Sequence, residues 1–285
     1  MKWLALAACT LVACGDNAAA TFDADPQCVP PAPNAGSLSG LVTGVVTQLA
    51  QAPRATASER DTTRTELAMQ LTTAGWTPML ETYPTGANVY ATIPATITTT
   101  RQIIVGAHFD TVTGSPGAND NGTGVAAVIG VAHYLHDVPC RGATVTIMLF
   151  DEEEQGLFGS RAYANVLSAQ GANVIAVHTV DQIGWDSDGD RRFELELPTA
   201  ALETEYRAAA GLLGIPVTPT TTSGTDHQSF RSAGFPSVGI TEEYVGGDTS
   251  PYRHTPQDTA ATVDLSYLVL GTQLVARVVA AELAP

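Results

Sequence analysis

Five short segments carry residue types that can do metal or acid–base chemistry. In Gly106-Ala107-His108-Phe109-Asp110 the histidine and the aspartate are two positions apart, so on an extended segment both side chains point the same way. A metal-bound imidazole usually donates its second ring N–H to a carboxylate or carbonyl, and Asp110 is placed to be that partner. In Gly117-Ala118-Asn119-Asp120-Asn121-Gly122-Thr123-Gly124, Asp120 falls at the mouth of a helix. It reads either as an N-cap or as a carboxylate shared between two metals. Phe150-Asp151-Glu152-Glu153-Glu154-Gln155-Gly156-Leu157 sets four acids after an apolar run. Adjacent carboxylates can split roles, one ionised on a metal and its neighbour free as a base. The last two are Asp181 in Val180–Gly184 and His254 in Arg253–Thr259, where Asp258 is placed to orient His254 or the local backbone. Taken singly, each has an ordinary loop reading.

The elements that must position these residues are legible from hydrophobic pattern. Gln102–Ala107, Thr144–Phe150 and Val174–Val180 read as strands, and each delivers acids or histidine at its carboxyl end. Asn88–Ile93 and Ser237–Thr241 read as two more strands. Thr123–Leu135 reads as a helix just after Asn121-Gly122, and Leu265–Leu283 as a long amphipathic helix. Ser37–Ala50 is a weaker helix. Ser58–Ala74 is a better one, with a capping-box-like start at Ser58 and Asp61 and a stop at Gly75. Strands alternating with helices predict an α/β fold with a mostly parallel sheet. Ligands of such sheets sit at the carboxyl ends of the strands, where the acids are.

The chain has 285 residues, 44% of them hydrophobic, enough for a sizeable core. A formal net charge of −16 argues against non-specific binding to nucleic acid or to an anionic membrane surface. The one lysine, Lys2, precedes an apolar run from Trp3 to Ala13, too short to span a bilayer and shaped like an export signal. It ends in Leu11-Val12-Ala13-Cys14, similar to the bacterial lipoprotein box; ordinary cleavage near Ala13 or among Ala18 to Ala20 is the alternative. The expected organisation is an export signal over residues 1–14, a flexible tether over 15–36 and one catalytic domain over 37–285. Membrane contact is then expected only through a lipid anchor, and the protein is expected to be a monomer. After export, Cys28 and Cys140 remain, either as one disulfide or as a tail thiol and a buried thiol.

In order, His-x-Asp, Asp-Asn-Gly, Glu-Glu-x-Gly-Leu-x-Gly-Ser, Asp-x-Ile-Gly and His-Thr-Pro-x-Asp-Thr resemble the zinc-dependent aminopeptidases of the secreted bacterial leucyl type. The resemblance runs from residue 58 to the C terminus. It implies a zinc-exopeptidase-like three-layer sandwich, with a central mixed, mostly parallel sheet and helices on both faces. It implies two zinc ions, one on His108, Asp120 and Asp181, the other on Asp120, Glu154 and His254. Glu153 is then the general base and Asp110 the His-orienting carboxylate. A metal-bridging hydroxide attacks the scissile carbonyl after an N-terminal residue of a peptide or amino-acid amide, and Glu153 carries the proton to the leaving amine. Related chemistries on the same scaffold are a single-zinc glutaminyl cyclase and a di-zinc carboxypeptidase or deacylase; the latter shares the spelling His108 to Val112. A non-catalytic binding protein on this fold would be marked by lost ligands.

Relatives often carry Tyr directly before the last histidine. Here that position is Arg253, with Tyr252 one earlier, so both are candidate substrate-binding residues. Ser223–Phe230 resembles a segment near the family's substrate pocket, which makes Asp226 and His227 candidates against a structural-loop reading. Asp186-Ser187-Asp188-Gly189-Asp190 spells like a calcium loop, but its glycine is misplaced and its twelfth position is Leu197. A surface hairpin turn is expected there rather than Ca²⁺. His133, His136 and His178 read as surface or packing residues.

Overall fold

The structure, a computed structural model, describes residues 28–284. The three apolar strands of the sequence reading lie side by side at the centre of one mixed sheet. Its strands are β1 (Pro78–Tyr83), β2 (Gly86–Ile93), β3 (Gln102–His108), β4 (Thr144–Phe150), β5 (Val174–Val180), β6 (Phe193–Glu196), β7 (Val217–Thr220) and β8 (Ser237–Thr241). The spatial order is β1-β2-β4-β3-β5-β8-β6-β7. β4, β3, β5 and β8 are parallel. β1 and β2 add an antiparallel edge, and β6 runs antiparallel to β8 but parallel to β7.

Among the described residues, seven α-helices cover this sheet: α1 (Ala35–Leu49), α2 (Ala57–Thr73), α3 (Gly124–His136), α4 (Phe158–Gln170), α5 (Ala200–Leu213), α6 (His227–Ser232) and α7 (Leu265–Glu282). The period-2 alternation of each strand divides the core. Ile103, Val105 and Ala107 of β3 and Val145, Ile147 and Leu149 of β4 pack with α1, α2, α3, α5 and α7. Ile104, Met148, Phe150 and Val177 face the other way, toward Tyr163 and Leu167 of α4 and Phe230 of α6. The result is the expected three-layer α/β sandwich. α3 is apolar all round because it lies inside its layer, between the sheet, α1 and α7. A Cβ at Gly130 would come within 2.9 Å of Thr272 on α7, so glycine lets the two helices approach.

β4, β5 and β8 have the bounds read from sequence. α2 differs at its start: the capping box is formed by Thr56 and Glu59, whose carboxylate accepts the Thr56 N–H at 2.7 Å. Asp61 instead pairs with Arg64. Pattern alone missed β1, β6, β7, α4, α5 and α6. β6 reads Phe-Glu-Leu-Glu with both glutamates buried, and β7 carries Pro219, so neither shows an apolar strand signal.

The export signal and residues 15–27 of the expected tether lie outside the described residues. Cys28–Gly36 is held in place rather than tethering. Cys28 is disulfide-bonded to Cys140. Tyr134 Oη donates to Pro31 O at 2.7 Å, Gln273 Nε2 donates to Pro33 O at 2.8 Å, and Asn34 caps α1. α3 runs away from the acid-bearing strand ends, and Cys140 follows it just before β4. The disulfide therefore sits at the end of the sheet opposite the acids.

Candidate metal centre

The carboxyl ends of β3, β4 and β5 bring the predicted residues together. His108 Nε2 lies 3.4 Å from Asp120 Oδ1, 3.4 Å from Asp181 Oδ1 and 4.0 Å from Glu153 Oε2. His254 Nε2 lies 3.0 Å from Asp120 Oδ2 and 3.2 Å from Glu154 Oε2. Two clusters result, His108–Glu153–Asp181 and Asp120–Glu154–His254, each with ligand atoms within 4.8 Å of one another. Asp120 stands between them, with one oxygen toward each imidazole.

Backbone conformation helps aim these groups. Among non-glycine residues, Glu152, Leu157, Gln182 and His254 have φ of 59°, 61°, 49° and 60°. The first two bracket Glu153-Glu154, the third follows Asp181, and the fourth is itself a site residue. Such conformations cost on the order of 1–3 kcal/mol each and persist where surroundings enforce them, commonly at functional sites.

The surroundings are specific. Asp110 accepts the N–H groups of Glu153 (3.0 Å) and Glu154 (3.1 Å), and its Oδ1 is 3.4 Å from His108 Nδ1. It thus orients the histidine and the acid pair at once. Asp258 accepts the N–H groups of Asn119 (2.7 Å) and Asp120 (3.0 Å), so of its two expected roles it takes the backbone one. The four consecutive acids divide. Arg60 of α2 pairs with Asp151 at 2.7 Å and Glu152 at 2.8 Å, and Arg64 also binds Asp151, so only Glu153 and Glu154 enter the centre. Arg54, fully buried, donates to the carbonyls of Leu49, Phe109, Pro116 and Gly117, pinning the turns beside His108 and Asp120. These arginines carry no local motif; the contacts that reach the turns and acids of the centre span 55 or more residues, and no sequence window shows them.

Burial raises the Glu153 carboxyl well above the usual carboxylate range. Burial, then the neighbouring Asp120, pushes Glu154 up to about 7. Asp120 moves the other way: against burial, contacts with His108 and His254 hold its carboxyl below the ordinary range. Glu154 Oε1 and Asp181 Oδ1 are buried and accept no hydrogen bond among the described residues, a costly state for a carboxylate. Two imidazoles and three carboxylates, two of them with an unpartnered oxygen, fit zinc, which takes nitrogen and oxygen ligands.

The remaining candidates separate. Arg253 lies at the rim, its Nε 3.1 Å from Asp120 Oδ2. Tyr252 meets the Trp185 ring edge-on, with centroids 5.7 Å apart. Asp226 is buried, with Oδ1 unpartnered, and burial pushes it up to about 7. His227 is turned into the interior, fully buried against Thr225 Oγ1 at 2.8 Å and Glu196 at 3.3 Å, which leaves no face for substrate. His178 is likewise internal, between Tyr206 and Glu282. The Asp186–Asp190 loop is not a hairpin turn. It joins β5 to β6, which β8 separates, and Asp248 holds it through Ser187 and Asp188. Its acids approach one another but are largely exposed.

This α/β sandwich converges imidazoles and carboxylates at the carboxyl ends of its parallel strands, an arrangement suited to holding metal ions. The sequence profile of peptidase family M28 matches residues 88–279, and the chain belongs to that family. It is 32% identical over 169 residues to Bacillus subtilis aminopeptidase YwaD, covering 55% of this chain and 36% of the relative. It is 32% identical over 154 residues to the probable lipoprotein aminopeptidase LpqL of Mycobacterium tuberculosis, covering 48% and 31%. The chain thus spans about a third of these relatives' length. Among solved structures, the Legionella pneumophila LapA aminopeptidase shares the fold with a TM-score of 0.80 at 18% identity, covering 88% of this chain and 74% of that one. Porphyromonas gingivalis glutaminyl cyclase shares it with a TM-score of 0.72 at 20% identity, covering 87% and 98%.

Proposed function

We propose that residues 28–284 form one catalytic domain, an exported zinc aminopeptidase that removes N-terminal residues from peptides or amino-acid amides. The reading rests chiefly on Asp120, whose two oxygens face two different imidazoles, His108 at 3.4 Å and His254 at 3.0 Å. That arrangement suits a carboxylate shared by two zinc ions, one on His108 and Asp181, the other on Glu154 and His254. The family and the named aminopeptidases among its relatives support the activity.

Bound there, zinc supplies Lewis acidity for the scissile carbonyl and brings a water's pKa down to about 7. The chain's own residues supply the rest. Glu153, buried beside His108 and not needed as a ligand, takes the water's proton and returns it to the leaving amine. Asp110 holds His108 in one tautomer and fixes Glu153 through its N–H. Arg253, beside Asp120 at the rim, can donate to developing negative charge on the substrate. Export with lipidation at Cys14 is supported by the lipoprotein relative; labelling with a radioactive fatty acid tests it.

The test is metal analysis combined with hydrolysis of amino-acid p-nitroanilides. Two zinc ions per chain and zinc- or cobalt-restored turnover are expected. Glu153→Gln should lose about 10²–10⁴-fold in turnover while keeping its metal. Less than one metal per chain and no hydrolysis after reloading would sink the proposal. A second reading follows from the fold match to nearly all of a glutaminyl cyclase chain. A single zinc, with cyclisation of N-terminal glutaminyl peptides instead of hydrolysis, would favour it.

A further inference from the structure

Beneath the centre lies a carboxylate with no part in the chemistry above. Glu242, just past β8, is fully buried. Its two oxygens are divided between two loops. Oε2 accepts the N–H groups of Gly184 (3.3 Å) and Trp185 (3.0 Å), which follow Asp181. Oε1 accepts Thr249 Oγ1 (2.9 Å) and the N–H of Ser250 (2.8 Å), which lead into His254. Asn119 Nδ2, next to Asp120, lies within hydrogen-bond distance of both oxygens, at 3.1 and 3.0 Å. One side chain therefore gathers donors from the three loops that bear Asp181, Asp120 and His254.

The geometry points to Glu242 as a positioning residue that sets the spacing between the two halves of the metal centre. This rests on the two-metal reading above. Asp181 and His254 sit on loops that do not pair with each other through the sheet, so their separation needs another device. A carboxylate suits it because it presents acceptor sites on both oxygens and no donor. All five donors are then satisfied inside the protein, where an unpaired polar group is costly. A glutamine of the same size keeps one acceptor oxygen. Its NH₂ must face donors from one of the two loops, which releases that loop.

The experiment is titration of the metal-free full chain with Zn²⁺ against a competing chelator, resolving two dissociation constants, with the melting temperature followed in parallel. Glu242→Gln should weaken one ion tenfold or more relative to the other. Thr249→Val, a milder change that keeps the glutamate, should weaken the ion held by Glu154 and His254 by about threefold or more. It should leave the ion on His108 and Asp181 within twofold. A purely structural Glu242 would lower the melting temperature without separating the two constants. The inference is overturned if wild type takes up two ions and both variants bind them with wild-type constants. A wild-type chain that takes up fewer than two ions overturns the two-metal reading itself, and this inference with it. Co²⁺ loading gives an independent readout: its visible absorption should change in Thr249→Val, and an unchanged spectrum counts against the inference.

Discussion

Asp258 holds Asp120 by its main chain. Its Oδ2 accepts the Asp120 N–H at 3.0 Å while its Oδ1 accepts that of Asn119 at 2.7 Å. The 138-residue separation between Asp258 and Asp120 makes this a long-range constraint on the residue that both halves of the centre share. Asp258→Ala leaves two buried N–H groups unpaired, which should cost about 2–4 kcal/mol in stability. Because such supporting contacts typically govern metal affinity by about 10–100-fold, zinc binding should weaken on that scale. Calorimetric unfolding and zinc titration check both; wild-type affinity in a folded Asp258→Ala protein would show that Asp120 needs no such support.

Asp258 also marks the limit of what the sequence discloses. That the acids and histidines cluster was legible, because β3, β4 and β5 are apolar runs that each end in one of them. The separate duties of four consecutive acids were legible only by motif. That Asp151 and Glu152 face Arg60 and Arg64 depends on where α2 docks, which periodicity does not reveal. His227 shows the reverse failure. Its motif neighbourhood suggested the pocket, but Glu196 on a short polar strand that pattern did not detect draws it inward.

Removing the metal should make stability fall as pH rises. Burial raises Glu154 from 4.5, and Asp226 from 3.8, to about 7. A carboxyl whose folded pKa lies above its unfolded value binds more protons when folded, so stability is greatest below the unfolded pKa and is lost through the folded one. The window is about pH 4 to 7. At 1.36 kcal/mol per unit the loss is on the order of 3 kcal/mol from Glu154 alone, or about 5–10 °C in a chain of this size. Melting curves of chelator-treated protein across that range should show the decline, and zinc-loaded protein should not. A flat profile for the metal-free chain would contradict the assignment of buried, uncompensated acids.

Arg60 carries two buried acids on one guanidinium, at 2.7 and 2.8 Å. Arg60→Met should destabilise by about 3–5 kcal/mol, because it leaves buried charge uncompensated. The double variant with Asp151→Asn should recover part of that loss, a coupling of about 1 kcal/mol or more in a double-mutant cycle. Strict additivity would mean that the pair contributes nothing.

The Cys28–Cys140 disulfide closes 112 residues of chain and ties down the segment that leads into α1. For a loop of this length the constraint on the unfolded chain is worth about 2–5 kcal/mol. Reduction, or Cys140→Ser, should therefore lower the melting temperature by roughly 5–15 °C. Because the bridge lies at the end of the sheet away from the acids, zinc stoichiometry in the folded protein should not change. Loss of metal in step with reduction would show a coupling between the two ends.

Among the described residues, Arg253 touches the centre through Asp120 alone, at 3.1 Å, and its other guanidinium nitrogens make no hydrogen bond there. If those free donors meet negative charge that develops during reaction, Arg253→Met should lower kcat by about 10–100-fold, with KM little changed. Arg253→Lys should recover only part, since an ammonium lacks the planar fork. Arg253→Tyr, which restores the residue often found before this histidine, tests whether a hydroxyl suffices from the same position. Zinc content should be the same in all three, because Arg253 supplies no ligand. A rise in KM with kcat intact would instead make Arg253 a ground-state binding residue, and unchanged kinetics would leave it only a charge partner of Asp120.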